Sequence, residues 1–248
     1  MPLKQLTKRA IGALGYEISR RVKSKIVGGK HYAPVRPFAT YSPWLDNSDF
    51  ASVYDRIKTN TLVDKFRCYE LWELVGQLGH LPGNFLEVGV WRGGTGALIC
   101  HRANCLPSKP TVYLCDTFKG VCKATDKDLS YSGGEHADTS EQDVRELLAG
   151  LGCENFKILT GIFPDDHLEA VSKETFSFVH IDVDVYQSAK DVLNFAWPRM
   201  PVGALVVFDD FGFDTCNGIA ILVGEYQRDS DKLVIHNLNG HAILVKTA

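Results

Sequence analysis

The seven cysteines, at 68, 100, 105, 115, 122, 153 and 216, include no Cys-x-x-Cys pair, and no histidine spacing completes a zinc site. An odd, scattered set reads as reduced thiols of a cytoplasmic protein. No apolar run approaches the roughly 20 residues needed to cross a bilayer, and the N-terminus lacks the uninterrupted apolar core of a secretory signal. An excess of basic charge is also missing: the formal net charge is -3 with 23% charged residues, so nucleic acid is not an expected partner. There are no internal repeats and no low-complexity tracts.

What is present is enough apolar material for one substantial core, 45% of 248 residues. One main domain, residues 51–248, is expected behind an arm and loop at 1–50. In residues 1–30, eight lysines and arginines stand against the single acid Glu17, while Leu3, Leu6, Ile11, Leu14, Ile18, Val22 and Ile26 recur at helical steps. This predicts a basic amphipathic helix ended by Val27-Gly28-Gly29. Its uses are contact with a membrane surface or, more plainly, packing on its own domain or on a second subunit of a homo-oligomer.

From about residue 50 the pattern becomes regular. Leu62, Val63, Phe66, Leu71, Leu74 and Leu78 share about half of a helix circumference, with Trp72 at the rim, and Leu81-Pro82-Gly83-Asn84 stops the helix. Strands are expected at 85–90, 111–115, 156–160, 176–181 and 204–208, alternating with helices near 140–151, 187–196 and 217–227. A hairpin around Asn239-Gly240 should add an antiparallel edge. The fold class is therefore α/β, a doubly wound and mostly parallel sheet covered on both faces.

Ligands of such sheets sit beyond the carboxyl ends of the strands. The first strand carries Glu87-x-Gly89 and leads into Trp91-Arg92-Gly93-Gly94-Thr95-Gly96, a close-approach turn opening a helix whose N-terminus favours anionic groups. Ile99 stands where a dinucleotide fingerprint has its third small residue, and no Gly-Lys-Ser/Thr follows, so neither a dinucleotide nor a phosphate loop is indicated. An acid inside the first strand suits a cationic amino-acid end. Asp116, closing the second strand, can accept hydrogen bonds from ribose hydroxyls or cap the next helix. Asp182 and the Asp209-Asp210 pair end two later strands. Three carboxylates brought together repel unless a cation neutralises them, and oxygen donors favour magnesium over zinc. The alternative is that these acids cap helices or pair with Lys190 and Arg199.

The run Phe85 to Gly94, Asp182-x-Asp184-x-Tyr186-x-Ser188, Pro198-Arg199 with Gly203, and Asp209-Asp210-Phe211-Gly212 together resemble the macrocin O-methyltransferase family over about residues 55–230. The resemblance implies a class I, Rossmann-like methyltransferase fold with a seven-stranded sheet. It implies S-adenosylmethionine and Mg2+ as cofactors and a sugar hydroxyl of a glycoside or glycan as acceptor. Asp182, Asp209 and Asp210 would hold the metal, with Asp182 also taking the proton. Thr61, Glu87, Gly89, Trp91, Thr95 and Asp116 would line the cofactor. Val183 replaces a glycine of several family members, and Ala204 the second glycine of a Gly-Gly pair.

His136, in Gly133-Gly134-Glu135-His136, is a candidate second base or lid residue, or a plain loop histidine. Two rival functions share parts of this pattern. One is a catechol or phenol O-methyltransferase; the other is a nucleoside-binding scaffold without turnover.

Overall fold

The computed structural model describes residues 24–35 and 39–248. Residues 24–35 belong to one compact unit and 39–248 to another. In the first, β1 (Lys25–Val27) pairs antiparallel with β2 (Lys30–Tyr32). Gly28 and Gly29 join them with φ of 53° and 76°, the two positive values that a two-residue hairpin turn requires. Ile26 is thus in a strand and not in the expected basic helix; residues 1–23 of that helix lie outside the described residues. Among the described residues, no helix is long and apolar enough to cross a membrane.

The second unit is the expected doubly wound sheet. Its strands are β3 (Asn84–Val88), β4 (Val112–Asp116), β5 (Phe156–Thr160), β6 (Phe176–Ile181), β7 (Leu205–Phe208), β8 (Lys232–His236) and β9 (Ala242–Lys246). They lie in the order β5-β4-β3-β6-β7-β9-β8. The first five are parallel, and β9 and β8 form the antiparallel hairpin, with β8 at the edge. Order reverses at β3, which has β4 on one side and β6 on the other, so the carboxyl ends of these strands flank the switch point.

One face is covered by α1 (Ser48–Ile57), α2 (Lys65–Gln77), α3 (Gly94–Asn104) and α4 (Glu141–Gly150). The other is covered by α5 (Leu168–Val171), α6 (Tyr186–Ala196) and α7 (Asn217–Tyr226). The sequence reading has no helix at α1, which straddles the boundary expected at residue 50. It is capped by Asn47, whose side chain accepts from the Phe50 N–H at 2.9 Å, and it buries Phe50, Val53 and Ile57 at helical spacing.

In α2 the buried stripe is rotated from the expected one. Asp64 caps the helix by accepting from the Phe66 and Arg67 N–H groups, so helical phase starts only there. Leu62 and Phe66 are consequently 68% and 55% exposed, whereas Trp72, expected at the rim, is 2% exposed. Its ring packs on Phe50 and His101, with the Arg102 guanidinium 5.0 Å from the ring centroid.

Candidate active site

A cleft of about 310 Å³ opens at the switch point. Its walls include Thr61, Gly89, Trp91, Thr95, Asp116, His136, Asp182, Asp209 and Asp210. Of the residues singled out from the sequence, Glu87 alone is not among them. Its side chain is fully buried, with Oε1 2.9 Å from His180 Nδ1 and the unpartnered Oε2 facing Gly96.

The end of the cleft that the sequence assigns to the cofactor is built by three strand ends. Gly89 has φ +90°, and a Cβ there would fall 1.8 Å from the Asp182 carbonyl oxygen, so only glycine lets the end of β3 pass the end of β6. Asp116 caps no helix. Its Oδ2 accepts from the Val90 and Trp91 N–H groups at 2.7 and 2.8 Å, and its Oδ1 from Phe118 N–H at 2.7 Å. It therefore fixes the turn after β3, and Oδ1 keeps a lone pair for a further donor. The Asn60 carbonyl accepts from Gly94 N–H at 3.0 Å, which lays Thr61 across the start of α3 beside Thr95.

At the other end, Asp182, Asp209 and Asp210 bring one carboxylate oxygen each to within 4.8 Å of one another. Burial, then repulsion from Asp209, Asp210 and Asp184, pushes Asp182 well above the usual carboxylate range. Burial, with repulsion from Asp184 and Asp209, does the same to Asp210. Burial also opposes ionisation of Asp209, but the neighbouring His180 and His241 imidazoles and the Arg67 charge outweigh it and hold that group low. A dication matches this set: its charge would let the two raised carboxyls ionise, and all the donors are hard oxygens. These acids do not cap helices. The start of α6 is instead held by Asp128, which accepts from Tyr186 N–H at 2.8 Å, while Lys190 contacts the Tyr186 hydroxyl and Arg199 the Phe195 carbonyl.

The sequence reading missed several neighbours. Asp184 sits at φ +64° and accepts a 2.5 Å hydrogen bond from the Tyr131 hydroxyl, and its other oxygen is 4.0 Å from His136 Nε2. Tyr131 and His136 both come from the long connection between β4 and α4, which forms one wall of the cleft. Arg67, buried on α2, binds Asp209 Oδ2 and also Asp64 at 2.8 Å. A buried arginine in the first turn of an otherwise apolar helix stripe was the available signal.

The model of the macrocin-O-methyltransferase (TylF) family matches residues 52–237. The chain belongs to this family. Among curated relatives, mycinamicin III 3''-O-methyltransferase of Micromonospora griseorubida is 30% identical over 152 residues, covering 55% of this chain and 58% of the relative. Demethyldecarbamoylnovobiocin O-methyltransferase of Streptomyces niveus is 28% identical over 192 residues, covering 73% and 70%. The match thus spans under two thirds of the first relative. The solved O-methyltransferase NovP superimposes with a TM-score of 0.64 at 25% identity, over 76% of this chain and 83% of that one. The family match takes in β3 to β8 and every site residue named above except His241.

Proposed function

We propose that this chain is an S-adenosylmethionine- and Mg2+-dependent O-methyltransferase acting on a sugar hydroxyl of a glycoside or glycan. The observation that carries the proposal is the single cleft that places the Asp116-braced glycine turn at one end and three converging carboxylates at the other. Family membership and relatives named for methylating glycosylated antibiotics support the acceptor class.

Thr61, Gly89, Trp91, Thr95 and Asp116 would hold S-adenosylmethionine, which supplies an electrophilic methyl group. Asp182, Asp209 and Asp210 would hold the magnesium ion, which as a Lewis acid lowers the pKa of a hydroxyl. The acceptor oxygen forms its bond to the methyl carbon as the sulfur–carbon bond breaks, and its proton passes to a carboxylate. With Asp182 engaged as a ligand, the proton acceptor assigned to it from sequence is better placed at Asp184, beside His136. Glu87 is absent from the cleft wall and bound to His180, and would support the cofactor site from below.

The cleft wall mixes polar groups from Tyr131, His136 and Thr215 with apolar ones from Val183, Phe213 and Cys216, so the choice of a polyhydroxyl acceptor over a simple phenol rests on the family and the relatives. A scaffold without turnover would gain nothing from three buried acids held together. On sequence grounds alone, the basic residues of 1–30 are assigned to a membrane surface, to packing on their own domain or to a second subunit. Asp116→Ala is expected to weaken S-adenosylhomocysteine binding by roughly tenfold or more, because it removes both the ribose acceptor and the brace of the turn. Titration calorimetry reads this directly; unchanged affinity would place the nucleoside elsewhere.

A further inference from the structure

Beneath the three carboxylates lies a layer of buried and half-buried polar side chains that the chemistry above leaves unused. Glu70, on α2, accepts from Asn237 Nδ2, from Asn239 Nδ2 at 3.0 Å and from His241 Nδ1, all between β8 and the start of β9. His241 is fully buried, and its other ring nitrogen, Nε2, lies 2.9 Å from Asp209 Oδ1. His180, also fully buried, spends Nδ1 on Glu87 and brings Nε2 within 3.6 Å of the same Asp209 oxygen, long for a hydrogen bond. Arg67 holds the opposite oxygen, Oδ2, and its guanidinium lies over the Phe213 ring.

A carboxylate that receives a cation must be ionised and fixed in one orientation beforehand, or binding pays for its reorganisation. Asp209 has Asp182 and Asp210 as neighbours, whose charges oppose its own. It needs donors from behind, and it has them on both oxygens: His241 on one, Arg67 on the other. Of the two donors, His241 is the one whose orientation is set by a further carboxylate reaching across from a separate helix. Glu70 also clasps the two asparagines beside it, so the whole hairpin loop is tied to α2 at this point.

We propose that His241, oriented by Glu70, is a positioning residue that presents Asp209 to the divalent cation. The proposal rests on the metal reading above. It makes the C-terminal hairpin, 32 residues beyond Asp209 at its contact point, a working part of the site.

The test is Mn2+ binding to the full chain, followed by electron paramagnetic resonance without acceptor, with S-adenosylhomocysteine affinity measured on the same samples. His241→Ala is expected to weaken Mn2+ by roughly tenfold or more while leaving S-adenosylhomocysteine binding near wild type. His241→Gln, which keeps an N–H donor for Asp209, should recover part of the loss. Glu70→Gln, a near-isosteric change at a partly exposed side chain, should weaken Mn2+ less than the alanine variant does, and it carries the test if His241→Ala does not fold. Mn2+ affinity unchanged in both the His241 and Glu70 variants would overturn the proposal. So would a stoichiometric transition metal in the wild-type protein that plasma mass spectrometry finds lost in His241→Ala, because the imidazoles would then be ligands themselves. A wild-type chain that binds S-adenosylhomocysteine but no Mn2+ would remove the metal reading, and this inference with it.

Discussion

Asp182→Asn is expected to lower kcat/KM for methyl transfer by roughly a thousandfold while S-adenosylhomocysteine still binds. The substitution keeps the shape of the side chain and removes one of three anionic donors, at the end of β6 where the cleft wall passes from the glycine turn to the carboxylate cluster. Because Asp209 is already paired with the Arg67 guanidinium and held by His241, Asp182 and Asp210 carry most of the negative charge left for a cation. The cofactor half, braced by Asp116 on the Val90 and Trp91 N–H groups, does not pass through Asp182 and should be untouched. Steady-state kinetics beside calorimetry separates the two halves. Activity within a few-fold of wild type would mean that the cluster has another purpose.

Gly89→Ala is the substitution expected to harm the fold most per atom added. The new Cβ would lie 1.8 Å from the carbonyl oxygen and 2.6 Å from the carbonyl carbon of Asp182, and the residue would have to keep φ at +90°. Neither contact is with a side chain that can rotate away. A cost of about 3 kcal/mol or more follows, since backbone strain and displacement of the end of β6 add together. For a domain of this size that is a fall in Tm of roughly 6–12 °C, readable by circular dichroism. The carboxylate of Asp182 would move with its backbone, so activity should drop even where the protein folds. A Tm within a degree of wild type would show that the strand ends are not packed as described.

The strands were legible because each is a short, continuous apolar run between polar breaks. Phe156 to Thr160 and Phe176 to Ile181 are found at the expected limits, and the hairpin turns around the expected Asn239-Gly240, its first strand one residue earlier than expected. Helix α2 was legible as a helix but not in phase, because Leu62 and Val63 precede the Asp64 cap and do not belong to the helical repeat. Helix α1 escaped because only three of its residues are buried. In the site, the carboxylates stood out as strand-end acids, which local pattern can show. Their partners come from distant segments: Arg67 and Glu70 from α2, Tyr131 and His136 from a loop, His241 from the hairpin. No spacing rule links residues that meet only after the sheet has closed. His180 lies two residues before Asp182 on β6, and its role depends on register, which sets it opposite Glu87 in the parallel pairing of β3 and β6. That pairing also explains why Glu87 faces the layer beneath the carboxylates and not the cleft.

The central claim is that the carboxylate cluster and the glycine turn form one metal-dependent methyl-transfer site. Incubating candidate glycosides with isotope-labelled S-adenosylmethionine and weighing the products by mass spectrometry, with and without a chelator, tests it most directly. One labelled methyl per acceptor is expected on a sugar hydroxyl, abolished by the chelator and restored by Mg2+. Methylation that proceeds undiminished with all divalent metal removed would contradict the account.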